Sequence, residues 1–171
     1  MVSPLYLIVL ALAAAFLLGL LNPERRGRAY AVTLVALASM TLISADWLRA
    51  FTMEGIDPVD VYTAGAEPPF AINLRMGLAE AALTLLVNLT GLLSALYLKD
   101  VMLAGGRRTM AVLLISVMAL VGIILTRDMF NLFVFFELVV ISSAGLVLLA
   151  NDKDGGPAGG LSLSAGFKYL I

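Results

Sequence analysis

The chain has no cysteine and no histidine. Disulfide frameworks, thiolate or imidazole metal sites, histidine general bases and histidine pH switches are thereby excluded. Charge is scarce as well: 13% of the 171 residues are Asp, Glu, Lys or Arg, against 61% hydrophobic, and the mean hydropathy is +1.02. That balance lies outside the range of a soluble domain, so water is not the solvent for most of this surface. Any chemistry falls to carboxylates, lysine, hydroxyls and water. No phosphate loop, nucleotide fingerprint or nucleic-acid surface is legible, and no metal, cofactor or nucleic acid is expected.

What the sequence does have is long apolar runs. A hydrocarbon core of about 30 Å takes roughly 20 helical residues to cross, and five stretches fit: 3–21, 29–47, 77–98, 109–126 and 129–150. They lack the alternation of barrel strands, and backbone groups in lipid must be paired within their own segment, so they are expected to be helices. All six prolines, Pro4, Pro23, Pro58, Pro68, Pro69 and Pro157, fall at or outside the proposed ends, where a missing amide donor does least harm. The expected fold is an all-α membrane protein. Residues 1–150 form a five-helix membrane domain, and 151–171 form a flexible connector, NDKDGGPAGG, followed by the start of a sixth helix.

Basic residues set the expected orientation. Arg25, Arg26 and Arg28 follow the first span, Lys99, Arg107 and Arg108 the third, and Lys153 the fifth, which places those loops in the cytoplasm and the N-terminus outside. The opening MVSP carries no basic stretch, so the first span reads as a retained anchor in place of a cleaved signal. Between the second and third spans, residues 48–76 form the one extended external segment. Gly55, Pro58, Gly65 and the pair Pro68-Pro69 punctuate it, the pattern of short strands or a hairpin.

Glu137, in NLFVFFELVVISS, lies about 12 Å along the fifth span by the helical rise. A carboxylate at that depth must face protein or water and either pair with a cation or stay protonated, and both states suit proton or ion handling. The plainer alternative is a buried carboxylate that only bonds another helix. Phe133, Phe135 and Phe136 beside it read as packing. On the third span Gly77, Glu80, Thr84, Asn88, Gly91 and Ala95 recur at helical spacing and share one polar, small-residue face. Close helix packing accounts for much of that face. Glu80, one turn inside the outer end, is the second ion-path candidate, and Lys168 is the third, its ordinary role being to snorkel at the cytoplasmic interface. Thr126-Arg127-Asp128 reads as a tight outer turn holding an interfacial charge pair. Ser142 and Ser143 are placed to bond back to preceding carbonyls.

The segment TRDMFNLFVFFELVVISSAGLVLLA is similar to the fifth-helix region of the antiporter-like subunits of Mrp-type cation/proton antiporters. Those subunits are related to the proton-pumping membrane subunits of respiratory complex I and of membrane-bound hydrogenases. AGAEPPFAINLRMGLAEAALTLLVNLTGLLSALYL resembles the entry to the family's third helix, and GFKYLI the start of its sixth. The resemblance implies that Glu137 stands where the family keeps a glutamate that works with a lysine on the seventh helix in ion translocation. Where the family often has an acidic residue shortly after a proline-phenylalanine motif, this chain has Gly77, with Glu80 one turn later. The expected protein is thus an N-terminal antiporter-like part of a membrane complex that couples proton or sodium movement to cation exchange or redox chemistry. It is not catalytic alone. Its expected partners are the bilayer, other membrane subunits and a chain carrying the remaining antiporter-like helices. A degenerate structural spacer in the same kind of complex is the main alternative, and an independent small carrier is disfavoured because no internal repeat is apparent.

Overall fold

The computed structural model describes residues 2–62 and 72–150. Its element order is α1 (Leu5–Leu20), α2 (Arg26–Arg49) continued by a π-turn (Ala50–Glu54), β1 (Val59–Tyr62), β2 (Asn73–Met76), α3 (Leu78–Tyr97), α4 (Lys99–Leu125) and α5 (Met129–Ala150). The expected connector and sixth-helix start, including Lys168, and the Pro68-Pro69 pair lie outside the described residues.

Among the described residues four helices are long and apolar enough to cross a membrane, and α1 is a shorter apolar helix. The first expected span therefore needs correction. At 16 residues α1 rises about 24 Å, short of a typical core. Pro4 opens it, and it closes at Leu21, whose extended backbone (φ −70°, ψ 148°) leads into Asn22-Pro23. A residue preceding proline is biased away from the helical region, so the chain cannot continue the coil there. The second correction concerns residues 99–108, expected as a loop. Lys99 to Gly105 is helical, and the break is confined to Gly106, whose φ of 69° and ψ of −159° only glycine adopts without strain.

The core forms where α2, α3 and α4 meet. Leu37, Met40, Asn88, Met110, Leu114 and Val121 are fully buried there. The small-residue face of α3 lets the helices close: a Cβ on Gly91 would lie 2.8 Å from Val117 Cγ2 and 3.5 Å from Leu37 Cδ2. Thr33 and Thr41 in α2 donate to their own helix, to Ala29 O at 3.0 Å and Leu37 O at 2.8 Å, which satisfies these donors without water. Leu7, Ala11, Ala14 and Leu18 make the buried stripe of α1, which packs on α4 and α2.

The two ends of the bundle differ. At one end Arg26 donates to Leu103 O and Ala104 O, and Arg107 to Gly19 O and Leu21 O, so the α1–α2 and α3–α4 connections sit together. At the other end β1 and β2 pair antiparallel, with Val59 opposite Met76 and Asp60 opposite Arg75. This is the expected hairpin. Leu74 and Met76 point inward and are buried, and β2 also bridges to Thr126, while Arg127 N donates to Asn73 O at 2.9 Å. Trp47 Nε1 donates to Val2 O at 3.0 Å, tying the chain's beginning to the same end.

Candidate functional site

α5 is set against α4 by one side chain above all. Phe135 is buried and its ring occupies the notch left by Gly122, where any Cβ would lie 2.4 Å from the ring. Asn131, Phe135 and Ser142 are buried, and Leu138 is packed against the core, so the stripe at i, i+4, i+7 and i+11 faces α4. Glu137 is two residues beyond Phe135, about 200° further round the helix. It points away from the bundle. Phe130, Phe133, Val134, Phe136 and Ile141 are exposed with it, and Glu137 makes no hydrogen bond or ion pair among the described residues. Only 17% of α5's most apolar stretch is buried, against 50% for α4, so α5 lies at the rim of the five helices. The phenylalanines therefore divide: Phe135 packs within the chain, while Phe133 and Phe136 flank the carboxylate on the open face. Ser142 and Ser143 do bond back, to Val139 O at 3.2 and 2.7 Å respectively.

Glu80 has a different setting. Its Oε2 accepts from Gly77 N at 3.0 Å, which caps the first turn of α3, and its Oε1 pairs with Arg127 Nη2. The turn after α4 thus contains no pair between Arg127 and Asp128. Arg127 reaches α3, and Asp128 Oδ1 accepts from Phe130 N at 3.1 Å, capping α5 as aspartate does at a helix start. Behind Glu80, Thr84 and Asn88 are fully buried. Asn88 Nδ2 donates to Ser44 Oγ at 2.9 Å, while Asn88 Oδ1 has no partner among the described residues. Glu80 and Glu137 are not joined by any described hydrogen bond or ion pair, and Lys168 lies outside the described residues. Among the described residues no cluster of three metal-ligating side chains occurs.

The geometry defines a multi-pass helical membrane segment whose rim carries a carboxylate without a partner among the described residues, and the chain is similar to membrane subunits of respiratory complexes. The chain is 29% identical over 165 residues to NADH-quinone oxidoreductase subunit N of Desulforudis audaxviator, an alignment covering 94% of this chain and 30% of that protein. Its fold matches a chain of the membrane-bound sulfane sulfur reductase, an archaeal respiratory membrane complex, with a TM-score of 0.82 and 25% identity over 98% of this chain and 33% of that one. No family model matches. The resemblance to antiporter-like membrane subunits of respiratory complexes holds in sequence and in fold, and the chain spans about a third of the length of the proteins it matches.

Proposed function

We propose that this chain is the N-terminal antiporter-like part of a membrane subunit in a multisubunit complex that couples proton or sodium translocation to cation exchange or redox chemistry. Glu137 is its principal ion-path residue. The observation that carries this reading is the open face of α5, where a carboxylate about 12 Å into an apolar helix has no partner among the described residues. In lipid such a group is expensive, so the face is covered in the assembly by further helices that supply a cation or water. Relatives about three times as long support that covering. Glu80 is the secondary candidate, already committed to a cap and to Arg127, and Lys168 the third.

The complex resides in the cell membrane with the chain's N-terminus outside. The gathering of Arg25, Arg26, Arg28, Lys99, Arg107 and Arg108 around one end of the bundle supports that sidedness.

The chain has no cysteine, so a spin label on Ile141→Cys reports this face in a complex whose other accessible cysteines have been replaced. Shielding from lipid-dissolved oxygen is expected. Oxygen collision at the level of a freely lipid-facing helix would leave Glu137 without the protein surroundings the proposal requires.

A further inference from the structure

We infer that the end of the bundle around the Gly105-Gly106 break is a binding site for an anionic phosphate group, of the kind carried by an acidic phospholipid headgroup or a soluble phosphate. A pocket of about 300 Å³ opens there, lined by Pro23, Arg26, Gly105, Gly106, Arg107 and Arg108. Three of its six lining residues are arginines. Among the described residues none pairs with a carboxylate, the ion pair there being Arg127 with Glu80 at the other end.

Two of the three arginines are also fixed in place. Arg26 donates through Nη1 to Leu103 O and Ala104 O at 3.2 and 3.3 Å, and Arg107 through Nη1 to Leu21 O at 2.6 Å. These bonds anchor one edge of each guanidinium and leave its remaining N–H groups uncommitted. Arg108 is exposed and has no partner among the described residues. Planar guanidinium groups held in this way match phosphate oxygens better than mobile lysines would. The backbone contributes too. The break at Gly106 restarts the helix at Arg107, so the positive end of the 107–125 segment lies at the pocket. Phosphate headgroups line both surfaces of any phospholipid bilayer, and basic pockets at the cytoplasmic ends of membrane helices suit acidic headgroups.

The test uses the assembled complex in nanodiscs, with native mass spectrometry counting phosphatidylglycerol and phosphatidylcholine retained after delipidation. The wild type should retain phosphatidylglycerol in preference. Arg108→Gln should weaken that retention about fivefold, the effect of one basic residue near an anionic surface. Arg28→Gln, an exposed arginine outside the pocket, should leave it unchanged. Displacement of the lipid by millimolar inorganic phosphate would assign the site to soluble phosphates, and its persistence would assign it to the lipid headgroup. Equal retention of both lipids, or equal loss in Arg28→Gln and Arg108→Gln, would overturn the assignment in favour of a diffuse basic surface.

Discussion

Gly122→Ala is the most demanding test of how α5 is held. The added Cβ would lie 2.4 Å from Phe135 Cδ1 and Cε1 and 2.5 Å from Cζ, about 1 Å short of the 3.4 Å at which ordinary contact begins. Three ring atoms of a buried side chain cannot all yield by rotation about χ2. Relief requires the ring to withdraw or α5 to lift from α4, and overpacking of this kind costs about 1–3 kcal/mol. The variant should lose stability in that range when the purified complex is unfolded by heat or denaturant in micelles. Because Phe135 fixes the rotation of α5, the same variant should turn Glu137 from its set direction and reduce ion flux beyond the loss of folded protein. Phe135→Leu removes the ring, so the double variant should recover at least half of the Gly122→Ala loss, a coupling within the range expected of touching residues. Wild-type stability in Gly122→Ala, or strictly additive losses in the pair, would refute the wedge.

Gly106→Ala meets no steric neighbour, yet it should lose about 1–3 kcal/mol because its backbone at φ 69° is strained for any other residue; unfolding midpoints of the complex will show this. Glu80→Gln keeps an acceptor for Gly77 N and loses only the pair with Arg127, whose side chain is 43% exposed, so the expected change is below about 1 kcal/mol, whereas Glu80→Ala should lose about 1 kcal/mol more with the cap. Cysteine substitution at Arg107 should label with membrane-impermeant reagent from the cytoplasmic side, and labelling from outside would overturn the proposed orientation.

Much of this architecture is legible in the sequence because each feature has its own period or breaker. Gly77, Glu80, Thr84, Asn88, Gly91 and Ala95 mark the packing face of α3, and Pro58 and Gly55 bracket the approach to the hairpin. The outward face of α5 is not legible. That helix carries large apolar residues on every side, so periodicity cannot distinguish residues facing protein from residues facing lipid, and only the Gly122 notch separates Phe135 from Phe133 and Phe136. Arg127 gave no local sign of its partner either, since Glu80 lies 47 residues away in the chain. The helical stretch before Gly106 reads as a loop because basic residues and two glycines interrupt the apolar pattern there. A tertiary contact of Arg26 with its carbonyls closes that region onto the bundle.

Whether Glu137 moves ions is decided by flux through vesicles reconstituted with the complete complex, comparing the wild type with Glu137→Gln. The amide keeps the shape and the hydrogen-bonding capacity of the carboxyl but removes its titratable proton and its charge. Assembly, followed on native gels, should be unchanged, and coupled proton or sodium flux should fall by about a hundredfold, the lower end of the range for losing a proton-transfer group. Undiminished flux in an intact Glu137→Gln complex would contradict the account and make this chain a structural spacer.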